Sequence, residues 1–429
     1  MSGPQIVDAR DRDALVPLYT GGWDPGSEIV EGVRAILAGV RESGDPVLVE
    51  LTRRFDDPAF TLERLRVEIP SPQAARRLVP SEVAEGLTLA RERVASFHEK
   101  QRAADVAYVE SDGTRYGLVT HPLRAVGAYV PSGTAPLPSS AIMTVVPAKL
   151  AGVERVAVAS PPSAKTGQVN PAVVFACALC GADELYAVGG AQAIAAFAFG
   201  TQTIARVDKI VGPGNVWVTE AKRQVLGSVG IDGLAGPSEV LVVADASSRA
   251  EYVAGEMLAQ AEHDPRARVA AVSTDRAILE RVADVLAGAR AVAGRDEIVA
   301  QVLAKRAYLI HAHDDEEVLE VIERFAPEHL SIQTHAPHAL VERVRCAGAI
   351  FIGPETPVAA GDYIAGTNHV LPTAGAARFA SGLRLADFTR TTAIVENSAQ
   401  RMRSDAPVLE RLALFEGLPG HARTARMRA

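Results

Sequence analysis

The chain has 429 residues, of which 48% are hydrophobic and 22% charged, a balance that fills the cores of two ordinary domains and excludes long disorder. Forty-four basic against 52 acidic residues give a net charge of −8, with no Lys/Arg run of the kind that wraps nucleic acid or coats a membrane. The charged start MSGPQIVDARDRD leaves no room for a signal h-region, and no apolar run reaches the roughly 18 residues of a membrane span. Cys177, Cys180 and Cys346 are too few and too odd in number for a disulfide framework, so the expected compartment is the reducing cytoplasm.

In chain order, residues 1–26 read as an N-terminal arm, rich in turn formers (Gly21, Gly22, Pro25, Gly26) and poor in periodicity. Ile29, Val33, Ile36, Leu37 and Val40 share a face and predict a helix over Ser27–Glu42, stopped by Gly44. Leu62–Ile69 alternates as a strand, and Pro80-Ser81-Glu82 opens a helix to about Arg102. Strands then alternate with helices. Val126–Val130 precedes the Pro131-Ser132-Gly133 turn, and Val156–Ala159, Leu185–Val188 and Lys209–Val211 are each followed by a helix (170–180, Ala191–Phe199, Val216–Leu226). After the turn-rich Ala235-Gly236-Pro237-Ser238 a second series begins. Its strands are Val240–Val243, Val269–Val272, Tyr308–Ile310, Leu330–Gln333 and Ala349–Ile352, and its helices Arg249–Glu262, 275–289, Asp315–Phe325 and 337–345. Residues 385–429 read as a helical tail. Short strands joined by helices imply parallel sheets covered on both faces. The expected fold is α/β, with two Rossmann-like parallel-sheet domains lacking a GxGxxG fingerprint, an N-terminal arm and a small helical C-terminal domain.

Five segments carry candidate chemistry. Gln260 and His263 share a helix face and could hold a divalent metal; a solvent-facing cap is the plain alternative. Glu328 and His329 are adjacent after Pro327. One could activate water and the other take a proton, or both could simply form a surface turn. The polar loop 355–382 holds Asp362, a possible third ligand or a turn former. Glu416 and His421 flank a Gly-Leu-Pro-Gly bend in the tail. Gly189-Gly190-Ala191-Gln192 and Gly212-Pro213-Gly214-Asn215 each join a strand to a helix, as a dinucleotide site or a plain turn would. Two further patterns are set aside. Cys177 and Cys180 lie in the apolar run PAVVFACALC and read as packed thiols; His311-Ala-His313-Asp314-Asp315 reads as a strand end with a helix cap.

In this order, the segments closely resemble the histidinol dehydrogenase family over nearly the whole chain. The most specific is Ile231-Asp-Gly-Leu-Ala-Gly-Pro-Ser-Glu-Val240, together with Val188-Gly-Gly-Ala-Gln192, Val211-Gly-Pro-Gly-Asn215, Gln260-Ala-Glu-His263, Ala326-Pro-Glu-His-Leu330 and Gly366-Thr-Asn-His-Val-Leu-Pro-Thr373. The resemblance implies NAD-linked, zinc-dependent, four-electron oxidation of L-histidinol to L-histidine through the aldehyde. It implies one Zn2+ per subunit, held by Gln260, His263, Asp362 and, across a homodimer interface, His421. Glu328 and His329 match the catalytic pair, and Tyr129, Gln192 and Asn215 the NAD contacts. Ser238, Gln260, His263, His329, Asp362, Glu416 and His421 match the substrate contacts. The implied division is an arm (1–26), a discontinuous first α/β domain (27–128 and 239–384), an NAD-contacting second domain (129–238) and a dimer-swapped tail (385–429). The same segments also fit a relative acting on another small alcohol, or a zinc hydrolase in which Glu328 activates water without NAD.

Overall fold

Two six-stranded sheets, each wrapped by helices, carry the chain in a computed structural model that describes residues 4–20, 24–132, 136–288 and 295–429. Gly21, Gly22 and Gly133, which entered the sequence reading, lie outside the described residues, as does the last position of the helix expected over 275–289.

The first sheet comprises β2 (Arg66–Val67), β5 (Ala125–Tyr129), β6 (Arg155–Ser160), β7 (Glu184–Ala187), β8 (Lys209–Val211) and β9 (Gly230–Ile231), in the order β2-β7-β6-β5-β8-β9. All neighbours are parallel except β2, which runs antiparallel along β7. Parallel strands need crossovers of a dozen residues or more, which here are helices. The helix Gly190–Phe199 is buried from Ala191 to Ala198, the all-round apolar pattern of a helix with no solvent face. Gly127 on β5 makes room for it: a Cβ there would lie 2.6 Å from the Phe197 ring.

The second sheet comprises β1 (Ile6–Asp8), β10 (Glu239–Ala244), β11 (Arg268–Ser273), β12 (Ala307–His311), β13 (His329–Gln333) and β14 (Ala349–Ile352), ordered β1-β12-β11-β10-β13-β14 and parallel throughout. Every residue of β10 and β11 is buried, as expected of strands covered on both faces. β3 (Val106–Val109), β4 (Arg115–Pro122) and β15 (Thr389–Glu396) form a separate antiparallel sheet with little burial.

The parallel α/β architecture is as the sequence implies, but four readings need correction. Residues 27–128 do not share a core with 239–384. Val33, Leu37, Val40, Leu48, Ala90 and Val94 pack with Val126, Val156 and Ile210 of the first sheet, because their apolar faces meet the helices that cover it. The arm, read as poor in periodicity, forms regular structure: β1 pairs with β12, and Leu15 and Leu18 of the helix Arg12–Tyr19 are fully buried under the second sheet. Leu62–Ile69 is a strand only at Arg66–Val67, after a single 3-10 turn at Leu62–Arg64. The tail is not wholly helical: β15 precedes the helices Ala399–Phe415 and Pro419–Arg426.

Candidate active site

The N-terminal edge of the second sheet gathers the titratable residues. The helix Asp315–Phe325 ends on Ala326, held in the left-handed region at φ +48, and Pro327 prevents its continuation. The chain turns sharply, so that Glu328 precedes and His329 opens β13. Parallel register sets His329 beside Val240 and Glu239 beside Arg268.

Glu328 and Glu239 lock the two strand entries together. The Glu239 N–H donates to Glu328 Oε2 at 2.9 Å, and the Glu328 N–H donates to Glu239 Oε2 at 3.3 Å. Glu239 is fully buried and pairs with Arg268, while the Ala374 N–H donates to its Oε1 at 3.0 Å. Burial, and then the neighbouring carboxylates of Glu239 and Asp362, push the Glu328 carboxyl well above the usual range. A carboxyl raised in this way, beside a histidine, is a candidate for proton transfer.

His329 Nδ1 lies 2.9 Å from the Glu239 carbonyl oxygen, a contact that requires the proton on Nδ1 and leaves the Nε2 lone pair free. Nε2 faces Asp362 Oδ1 at 3.9 Å, and Glu328 Oε2 lies 3.6 Å from Nδ1. Burial, aided by His263 and His369, lowers His329 to about 4, so the ring is a neutral base.

Asp362 stands on the short helix Val358–Tyr363, within the segment expected to be loop. Burial, and then Glu256, raise its carboxyl to about 7. Its backbone carbonyl accepts from His369 Nδ1 at 2.9 Å, and His369 Nε2 reaches Ser140 Oγ at 3.4 Å. Asn368 donates to the Met143 carbonyl at 2.7 Å. The segment 366–374 thus bridges the second sheet to the helix Pro138–Ala151 of the first unit.

Gln260 is 3% exposed on the last turn of the helix Ala250–Ala261. His263 follows at the rim, open to solvent on one side, its N–H donating to the Gln260 carbonyl at 3.3 Å. Its ring acts on both His329 and His369. Imidazole, carboxylate and amide oxygen, at a place where burial keeps the rings neutral, are a donor set that suits a borderline divalent cation. Among the described residues, no group of three His, Cys, Asp or Glu with ligand atoms within 4.8 Å of one another includes His263 or Asp362.

The C-terminal edge of the first sheet is built differently. The Gly190 N–H donates to Tyr129 Oη at 3.1 Å, and Gln192 is buried in the first turn after it. Asn215 caps the helix Val216–Val225, its Oδ1 accepting from Trp217 N and Val218 N at 3.0 and 3.2 Å. Gly212 lies at φ +108, and a Cβ would sit 2.2 Å from the Tyr129 carbonyl oxygen, so only glycine fits between β5 and β8. Asp232 accepts from the Gly212 N–H at 2.7 Å, and Lys222 Nζ donates to the Gly212 carbonyl at 2.9 Å. Such strand ends, with glycine turns opening helices, are where parallel sheets admit nucleotides. Thr219 bonds to the Ala235 carbonyl and the Gly236 N–H to Thr373, carrying this edge to half-buried Ser238 and to Glu239.

Within one chain the fold therefore gathers Glu328, His329, Asp362, Gln260 and His263 at one edge. It sets Tyr129, Gln192 and Asn215 at the other. Glu416 and His421 stay apart, exposed on the tail. Sequence reasoning gave no role to His369, Glu239 or Arg268. The signal for the last two was a charge opening each of two apolar strand runs. Cys177 and Cys180 are packed thiols, burial raising Cys180 to about 12.

The family model for histidinol dehydrogenase matches residues 24–429. The chain is 44% identical over 400 residues to the histidinol dehydrogenase of Gluconobacter oxydans, covering 93% of both chains. It is 43% identical over 422 residues to that of Rhodospirillum rubrum, covering 97% of both. The crystal structure of histidinol dehydrogenase from Elizabethkingia anophelis superposes with a TM-score of 0.91 at 31% identity, over 99% of this chain and 98% of that one.

Proposed function

The chain belongs to the histidinol dehydrogenase family, oxidoreductases of histidine biosynthesis whose substrate is histidinol, and we propose that it oxidises L-histidinol to L-histidine through the aldehyde, with NAD and zinc. The observation that carries this reading is His329: a buried neutral imidazole, its Nδ1 tied to the Glu239 carbonyl, its Nε2 free, and Glu328 beside it.

His329 takes the hydroxyl proton as the carbinol carbon loses hydride. Glu328 takes a proton from the water that adds to the aldehyde. His329 acts again on the hydrated aldehyde as the second hydride departs. NAD, when bound, is the hydride acceptor, one molecule for each two-electron step. Gln260, His263 and Asp362, with His421 of a second copy, would hold zinc, which would supply Lewis-acid orientation of the nitrogen-bearing substrate. Ser238 and Glu416 complete the substrate contacts, and Tyr129, Gln192 and Asn215 face the dinucleotide. The same reading gives residues 129–238 the NAD contacts.

A homodimer is supported by the exposed apolar surface of the tail and of the three-stranded sheet. Phe415 is 91% exposed, Val109 62%, Val395 60% and Leu412 59%, more than an isolated chain ordinarily leaves to water. With the three unpaired cysteines we place the enzyme in the cytoplasm; no described helix is long and apolar enough to cross a membrane. Absorbance of NADH tests the proposal: two NADH form per L-histidinol consumed. One NADH, from another alcohol only, would move the enzyme to a different substrate, and none would refute the redox reading.

A further inference from the structure

The opposite, C-terminal edge of the second sheet carries a cluster that the reaction does not use. Asp8 ends β1 and His311 ends β12, and parallel register sets them side by side. His313 is two residues on, so it returns to the same face as His311. Nε2 of His313 lies 2.9 Å from Asp8 Oδ2, and the His311 and His313 rings meet edge to face with centroids 5.1 Å apart. Among the described residues, these three form the one group of His, Cys, Asp or Glu whose ligand atoms all lie within 4.8 Å of one another. Tetrahedral ligands bonded at about 2.0–2.1 Å stand roughly 3.3 Å apart, so small side-chain rotations would bring the three around one ion.

The surroundings favour a cation. Asp8, Asp314 and Glu317 are acidic. The neighbouring guanidinium of Arg10 is tied to Glu317 at 2.6 Å, whose other oxygen accepts the His313 N–H at 2.9 Å. The Arg10 N–H donates to Asp8 Oδ1 at 2.8 Å, which fixes the carboxylate and leaves Oδ2 outward. An exposed Asp–His pair alone would explain one histidine and contributes little. It does not explain the second imidazole on the same face. The six residues of β11 span about 17 Å from one edge of the sheet to the other, so the cluster is a different place from the edge that holds His329.

We propose that Asp8, His311 and His313 form a second, structural site for a borderline divalent cation such as Zn2+, clipping the N-terminal strand to β12. Two imidazoles and one carboxylate select Zn2+, Co2+ or Ni2+ over Mg2+ or Ca2+, and water completes the shell on the open side. The clip acts where the fold needs it. β1 has three residues and one neighbour, and the helix after it contributes Leu15 and Leu18 to the core.

Calorimetric titration of untagged enzyme with Zn2+ tests this. The wild type takes up one equivalent more than the His311→Ala/His313→Ala variant, whether or not the catalytic site is already filled. Asp8→Asn weakens that equivalent about tenfold or more while keeping the fold, and Mg2+ does not compete. At a hundredfold excess over Kd, exchange of the Ala9 amide, bonded to the His311 carbonyl at 2.9 Å, slows about a hundredfold in the wild type alone. NADH production by the double variant, assayed at saturating substrates, equals that of the wild type. Equal zinc uptake by wild type and double variant, or unchanged exchange at Ala9, overturns the proposal.

Discussion

The two sheet edges that face the proposed reaction are made of different materials. The C-terminal edge of the first sheet is built from backbone. Its turns pass through Gly189, Gly190, Gly212 and Gly214, and the polar side chains there brace the chain, as Asn215 caps a helix and Lys222 holds the Gly212 carbonyl. The N-terminal edge of the second sheet is built from titratable side chains: burial shifts Glu239, Glu328, His329 and Asp362, and the carboxylates of Glu239 and Asp362 push Glu328 further. A surface that receives a large anionic cofactor needs close approach and N–H donors. A surface that moves protons needs groups whose pKa values burial has pushed apart from ordinary ones.

Substitutions break this comparison to different degrees. His329→Asn keeps a donor toward the Glu239 carbonyl and removes the base, so turnover should fall about 10²–10⁴-fold with zinc content unchanged. Steady-state kinetics with metal analysis checks this, and full activity would remove His329 from the mechanism. Arg268→Ala leaves Glu239 buried without its cation, at a cost of about 3–5 kcal/mol by urea denaturation. An unchanged midpoint would mean that Arg268 does not hold the catalytic edge together.

Gly212→Ala tests the backbone-built edge. Positive φ and the collision with the Tyr129 carbonyl should cost about 2–4 kcal/mol, and the KM for NAD should rise more than that for histidinol. Equal rises in both would erase the distinction between the edges. The smallest effect concerns His98, buried at the seam with Gln101 on one ring nitrogen and Asn368 on the other. Burial lowers its pKa below 6.5, against a smaller opposing pull from Gln101. The unfolded chain therefore takes up a proton first, and this stability is present above pH 6.5 and lost as pH falls below it. The stability difference between wild type and His98→Gln should shrink between pH 7 and 5.5; a constant difference would mean that His98 does not titrate so.

Periodicity made much of the fold legible. The helix Asp315–Phe325 and the strand Ala349–Ile352 lie where their apolar patterns set them. The three-stranded sheet did not show, because its strands are exposed and lack a buried face to impose alternation. The helix Pro138–Ala151 escaped notice because it is apolar all round and contains Pro147. The docking of the arm was hidden because β1 has only three residues and takes its partner from β12, some 300 positions away. Candidate site residues were visible as polar groups out of period. Their convergence was not, since Glu328, Asp362 and His263 meet through sheet register and helix ends that no local pattern encodes.

The shared site is the central claim, and anomalous diffraction at the zinc edge addresses it directly. In crystals grown with zinc, L-histidinol and NAD, the account predicts a peak within coordination reach of Gln260, His263 and Asp362, with a His421 from a second copy beside it. An anomalous map with zinc at Asp8, His311 and His313 but none between those three residues would contradict the account.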